Sequence, residues 1–353
     1  MSEEMGSPLV GLDHEALVVR RGVRGGVYII VAVHSTVLGP ALGGCRMTSY
    51  ASAAEAVRDA LRLARGMTYK SAAAGLPLGG GKSVIAMEPG VNRESMLLDL
   101  ADTVEGLDGL YITAEDVGTK PADMALIHTR TNYVVGLPRE KGGVGDPSPF
   151  TAAGVEAAMA ACIGKRFGSE DFAGRSVAIL GVGAVGEGLA RSLAGKGAEL
   201  VLADINEAKR ALAEELHAHW SDPESAMIAD VDVLAPCALG GVLDEATIPA
   251  LRCQIVCGSA NNQLSLEDLA DDLQQRNIIY APDFIANAGG IIHAAEEYAG
   301  ARDPEGVTER VKGIHDVTAE ILEQSESTGR TPLVAAYLLA GRRLQAGREA
   351  SRA

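Results

Sequence analysis

The chain has 353 residues, 47% of them hydrophobic and 22% charged, with a formal net charge of −16. That length exceeds one ordinary core and predicts two domains, and the apolar content predicts a folded globular protein. The acidic balance argues against nucleic acid or an anionic membrane as a partner, and no basic run or membrane-length apolar stretch interrupts the sequence.

The first residues are acidic and lack an apolar segment, so no signal peptide is expected and the protein reads as cytoplasmic. Residues 17–20 and 27–34 read as two strands of a hairpin. Ser52 and Glu55 have capping-box spacing and open a helix to about residue 67. Residues 84–86 form a buried strand ended by Glu88, Pro89 and Gly90, and a helix over 93–105 leads to a strand over 110–113.

The Gly/Pro-rich stretch 142–149 reads as the domain linker. Beyond it, a helix over 152–165 precedes alternating elements: strands at 176–180, 200–203, 233–235, 255–257 and 278–281, with helices near 186–194 and 207–217. That order predicts a parallel, doubly wound sheet. Two helices, about 307–326 and 332–345, close the chain, with Thr331 as N-cap and Pro332 at the first helical position. The expected organisation is a first domain over 1–148, a second over 149–330, and a C-terminal helix within 331–353 packing back on the first. The tail from residue 347 is expected to fray.

The five cysteines (Cys45, Cys162, Cys237, Cys253 and Cys257) are odd in number and lack zinc-site spacing, so they read as buried free thiols and no metal is expected. His217, His219 and Trp220 read as the solvated end of a helix.

Gly181-Val182-Gly183-Ala184-Val185-Gly186 follows one strand and opens a helix, and Asp204 closes the next strand. Glycines there allow a tight turn and close approach of a pyrophosphate to the helix N-terminus. The carboxylate suits ribose hydroxyls and repels a 2′-phosphate, which favours NAD over NADP.

A second glycine run, Gly79-Gly80-Gly81-Lys82-Ser83, fails as a phosphate loop because the required first glycine falls at Leu76. Lys70 and Lys82 flank it in almost uncharged surroundings. Two ammonium groups so placed become useful when one binds a carboxylate and the other, its pKa depressed, acts as a base. Asp116, at a strand's C-terminal end, is the candidate acid/base of the same domain.

These residues carry a resemblance. Gly39 to Arg46, Met67 to Lys70, Leu76 to Ser83, Tyr111 to Thr119, Gly145 to Pro149, Ala235 to Gly241 and Ala281 to Gly290 resemble, in order, motifs of the leucine/valine/phenylalanine branch of the amino-acid dehydrogenase superfamily. The resemblance covers about residues 12–345. It implies an α/β fold of two domains, an N-terminal α/β substrate domain and a Rossmann-type doubly wound NAD-binding domain, with an active-site cleft between.

It also implies roles. Lys70 would bind the substrate α-carboxylate, lined by the Gly43 and Gly44 backbone. Lys82 would activate the water that attacks the imino acid, and Asp116 would shuttle protons at the amino nitrogen. Asn287 would hold the carboxylate or the nicotinamide region. Thr151, Gly181, Val182, Gly183, Ala184, Val185, Gly186, Asp204, Pro236, Cys237 and Asn261 would contact NAD. The implied activity is reversible oxidative deamination of a small-molecule amino acid by a homo-oligomer.

Glutamate-specific relatives carry a lysine where this chain has Leu42. An acidic side chain would lose its counter-ion there, costing on the order of several kcal/mol, so the substrate side chain is expected to be apolar. Leu42, Met67, Ala114, Ile291 and Ala294 are the expected lining. Ala294 falls where the leucine enzymes tend to carry valine, which leaves room for an aromatic side chain unless Ile291 fills it. A 2-hydroxy-acid dehydrogenase would need a catalytic His with Arg and acid partners and leaves the lysine pair unexplained. A catalytically silent NAD-binding regulator would not need Lys70, Lys82 and Asp116 together.

Overall fold

The computed structural model describes residues 12–301 and 303–352. The acidic N-terminal residues 1–11, on which the expectation of no signal peptide rested, lie outside the described residues. None of the described helices is long and apolar enough to cross a membrane.

The chain divides into two compact units. One comprises residues 1–146, 294–302 and 340–353, the other residues 147–293 and 303–339. The polypeptide thus passes from one unit to the other within the glycine- and proline-rich stretch 142–149 and again within the last helices.

In the first unit, β1 (Ala16–Arg21), β2 (Tyr28–Ser35), β3 (Ala41–Thr48), α1 (Ala53–Ala73), β4 (Gly79–Ala86), α2 (Arg93–Glu105), β5 (Tyr111–Glu115) and α3 (Pro121–His128) follow in chain order. The five-stranded sheet has the order β1-β2-β4-β3-β5. The first two strands form an antiparallel hairpin, β2 also runs antiparallel to β4, and β3 lies parallel to both β4 and β5. One sheet face packs Val31, Val33, Cys45 and Ile85 with Leu97 and Leu100 of α2 and Met124 and Ile127 of α3. On the other, Ile30, Ala32 and Val84 meet Ala56, Ala60 and Ala64 of α1.

Four local expectations need correction. The strand after the glycine run begins at Gly79, not residue 84, so the run is strand interior. Helix α1 continues past residue 67 to Ala73, which places Lys70 in its last turn. Ser52 caps the helix through the Glu55 N–H at 3.2 Å, but the Glu55 carboxylate reaches back to the Ala51 N–H. The sequence alone gives no strand over Ala41–Thr48, because the glycines of β3 mask its β-propensity.

The second unit begins with α4 (Ser148–Phe167), followed by β6 (Ser176–Leu180), α5 (Ala184–Gly195), β7 (Glu199–Ala203), α6 (Arg210–Glu215), β8 (His219–Ser221), α7 (Pro223–Met227), β9 (Val233–Pro236), β10 (Ile255–Val256), α8 (Leu269–Gln275) and β11 (Ile279–Tyr280). Its six strands pair in the order β11-β10-β9-β6-β7-β8, every pairing parallel. Two parallel halves therefore diverge from the β6/β9 junction, the switch point where open α/β sheets bind ligands. His217 follows the Leu216 C-cap of α6, exposed and with φ +53°, as a solvated helix end, whereas His219 and Trp220 lie in the short strand β8.

The chain closes through α9 (Asp283–Ala286), α10 (Gly289–Tyr298), α11 (Pro304–Lys312), α12 (Ile314–Thr328) and α13 (Pro332–Ala350). One helix expected over 307–326 is two, broken at Gly313. Thr331 Oγ1 accepts the Val334 N–H at 3.3 Å, the cap that opens α13. The tail expected to fray from residue 347 is helical to Ala350 instead. Gly347 packs closely there: a Cβ on it would lie 2.7 Å from Leu38 Cδ2.

Candidate functional site

Strand alternation builds the first part of the site. Side chains two apart along a strand share a face. Leu42 pairs with Gly80 and with Ile112, and Gly44 with Ala114, so β3, β4 and β5 are in register. One sheet face therefore carries Leu42, Gly44 and Arg46 from β3, Lys82 from β4 and Ala114 from β5, and Asp116 follows at the C-terminal end of β5. Helix α1 covers this same face and carries Lys70 in its last turn, with Met67 one turn earlier.

The glycines let these layers approach. A Cβ on Gly80 would stand 2.0 Å from the Thr68 nitrogen of α1, and one on Gly44 2.5 Å from the Glu115 carbonyl oxygen. Neither position accepts a side chain without moving backbone. Arg343 of α13 donates to the Ala72 and Ala73 carbonyls at 3.1 and 2.6 Å, capping the helix end that bears Lys70.

Lys82 is 4% exposed. Its Nζ lies 2.9 Å from Asp116 Oδ2. Burial lowers the Lys82 pKa; Asp116 pulls it back up, and Arg46 pushes it further down. Burial alone would raise the Asp116 carboxyl, but Lys82 and Arg46 outweigh it and hold the group below the usual carboxylate range. Arg46 is thus one cation that acts on Lys82.

Arg46 had been given no role. Its Nε donates to Asp116 Oδ2 at 3.1 Å and its Nη1 to Asp59 Oδ2 at 3.0 Å. Tyr50 donates to the same Asp59 oxygen at 2.8 Å, and Arg62 to Asp59 Oδ1 at 2.9 Å. Behind the face, the Tyr111 hydroxyl donates to the Gly43 carbonyl at 2.5 Å and lies 3.1 Å from Ser83 Oγ. The signal that could have found Arg46 is a lone charge in an otherwise uncharged strand.

The second unit assembles the glycine turn. Gly181 follows β6 with φ +98°, and Gly183 caps α5 with nothing within 4 Å of a built Cβ. A Cβ on Gly186 would strike the Gly181 carbonyl at 2.0 Å. The turn therefore presents an open, side-chain-free helix N-terminus at the switch point, which fits a pyrophosphate. Asp204 follows β7 beside it: Oδ2 accepts the Val182 N–H at 2.7 Å and Oδ1 the Asn206 N–H at 2.8 Å.

The remaining residues expected at a dinucleotide site lie in the same unit. Val182 is buried, while Ala184 and Val185 open α5; Thr151 sits in α4, and Pro236 and Cys237 at the end of β9. Asn287, 4% exposed, donates Nδ2 to Asn261 Oδ1 at 2.8 Å and to the Ser259 carbonyl at 3.1 Å. Gln263, unremarked in the sequence, fixes that loop: its backbone N–H donates to Asp283 Oδ2, and its Nε2 to the Gly258 and Ala260 carbonyls. Ile291 and Ala294 are buried on α10; Ile291 belongs to the second unit and Ala294 to the first. All five cysteines are free, four of them buried and Cys237 half-buried.

Known proteins match this chain along most of its length. The family described as Glu/Leu/Phe/Val dehydrogenase, dimerisation domain, matches residues 22–133, and that described as Glutamate/Leucine/Phenylalanine/Valine dehydrogenase matches residues 201–351. A leucine dehydrogenase of Thermoactinomyces intermedius is 44% identical over 336 residues, 94% of this chain and 91% of that protein. A valine dehydrogenase of Streptomyces virginiae is 40% identical over 342 residues, 95% of each chain. The crystal structure of L-tryptophan dehydrogenase from Nostoc punctiforme superposes with a TM-score of 0.86 at 35% identity, covering 96% of this chain and 98% of that one.

Proposed function

The chain belongs to the Glu/Leu/Phe/Val dehydrogenase family, and from that premise we infer that it catalyses the NAD-dependent oxidative deamination of an apolar L-amino acid, branched-chain or aromatic, to the 2-oxo acid and ammonia. The observation that carries this reading is the pairing of buried Lys82 with half-buried Asp116 on the sheet face that also holds Leu42 and underlies the α1 end bearing Lys70. A nicotinamide cofactor follows from dehydrogenase chemistry. NAD rather than NADP is supported by the Asp204 carboxylate beside the glycine turn.

In this reading Lys70 keeps its charge and binds the substrate α-carboxylate, with the Gly43 and Gly44 backbone alongside. Leu42, Met67, Ala114 and Ala294 of the first unit would line the side-chain pocket. With Lys82 and Arg46 both on Asp116 Oδ2, Oδ1 takes and returns the proton of the amino nitrogen. Lys82, its pKa lowered by burial, accepts a proton from the water that adds to the imino carbon. Asp116 then protonates the departing ammonia. The bound nicotinamide supplies the acceptor for the Cα hydride. Thr151, Gly181 to Gly186, Asp204, Pro236, Cys237, Asn261 and Asn287 would hold it.

The match of residues 22–133 to a dimerisation domain supports a homo-oligomer. The test of the activity is initial-rate NADH production with each of the twenty amino acids. Turnover is expected with leucine, valine or an aromatic amino acid and not with glutamate. Dinucleotide binding with no turnover of any of them would favour a silent regulator.

A further inference from the structure

Asp116 needs a partner that remains a cation when Lys82 does not. In the resting pair, Lys82 and Asp116 compensate each other. The proposed chemistry, on which this inference rests, requires Lys82 neutral and Asp116 ionised together. The Asp116 carboxylate would then sit largely buried without its nearest counter-ion, a costly state. A guanidinium does not deprotonate in this range, and one is in place: Arg46 Nε on Asp116 Oδ2 at 3.1 Å.

The far end of Arg46 is tethered as well. Nη1 donates to Asp59 Oδ2, and Asp59 is held by Tyr50 and Arg62. The guanidinium therefore spans two carboxylates on separate elements, Asp59 on α1 and Asp116 beyond β5, and its orientation is fixed from both sides. The Asp116 backbone is fixed independently, since its N–H donates to Thr119 Oγ1, which donates to the Cys45 carbonyl at 3.0 Å. We propose that Arg46 is a positioning residue for the deamination: braced by Asp59, it orients Asp116 so that Oδ1 faces the reacting nitrogen, and it keeps that carboxylate ionised while Lys82 is neutral.

The titratable groups around the pair do not duplicate this role. Cys45, on the same strand, is pushed by burial up to about 12 and stays neutral. Tyr50 is raised by burial and by Asp59. Glu115, beside Asp116, is raised by burial and by Asp146 and Glu297. Asp123 of α3 is paired with Arg93. Lys70, from α1, is committed in the proposed chemistry to the substrate carboxylate.

The test compares Arg46→Gln and Arg46→Lys with the parent by pH profiles of kcat/KM and kcat, alongside NADH affinity as a check on the second unit. Without the guanidinium charge, the uncompensated Asp116 field raises the Lys82 pKa, so the acid limb of Arg46→Gln should move about one pH unit to the alkaline side. Arg46→Lys keeps the charge but cannot bridge two carboxylates. Its limb should stay near the parent's while kcat falls roughly tenfold or more. An unshifted limb in Arg46→Gln with normal NADH binding overturns the proposal, as does a parental kcat in Arg46→Lys. If Arg46→Gln does not fold, the Arg46→Lys result decides alone. A parent enzyme that turns over no amino acid would instead sink the functional reading itself.

Discussion

A buried ammonium 2.9 Å from a carboxylate is ordinarily a stable ion pair, yet burial keeps the Lys82 pKa down against the pull of Asp116. The sign of the pH dependence follows. The neutral amine is the active form, so kcat/KM for deamination should rise with pH through a limb below the ordinary lysine value of about 10.4. A limb at that value, measured by initial rates across pH, would contradict the assigned role. Asp204→Ala removes the carboxylate that follows β7 beside the glycine turn and should lower the NAD-to-NADP ratio of kcat/KM roughly tenfold; an unchanged ratio refutes the proposed ribose contact. Lys70, Lys82 and Asp116 stand out in the sequence because each lies in a distinctive motif. Arg46 does not, because its partners lie 13 and 70 residues away and are joined through strand register.

Among the elements, the contact between α1 and β4 bears most directly on the site. Gly80→Ala would drive a Cβ to 2.0 Å from the Thr68 nitrogen and displace the helix that carries Lys70. It should destabilise the protein by about 1–3 kcal/mol in chemical denaturation and raise KM for the amino acid more than for NAD. Equal effects on both would show that the contact is structural alone. Tyr111→Phe leaves the Gly43 carbonyl buried without its donor, a loss of about 1–3 kcal/mol with little change in NAD affinity. The same glycines explain why this sheet was only half legible. They are the residues least typical of strands, and tertiary close approach, not β-propensity, selects them. The second unit was read correctly in outline because its strands are continuous apolar runs alternating with helices. Short β8 and the break at Gly313 carry no such pattern.

At the scale of the whole molecule, the chain divides into two compact units, and the proposed function assigns the chemistry to the first and dinucleotide binding to the second. The sequence reading places a C-terminal helix back on the first domain, and residues 340–353 fall in the first unit; that residues 294–302 do so as well depends on packing that no motif encodes. The division makes the roles separable by mutation: a change on the β4 face should remove turnover without touching dinucleotide affinity. If the chain assembles through its N-terminal region, light scattering should return a mass that is a multiple of one chain. The most direct test is NADH production from the best amino-acid substrate by the parent and by Lys82→Ala, with NADH affinity measured on both by calorimetry. The parent should turn over, and Lys82→Ala should lose about 10²–10⁴-fold in kcat with unchanged NADH affinity. Near-parental kcat in Lys82→Ala would contradict the account.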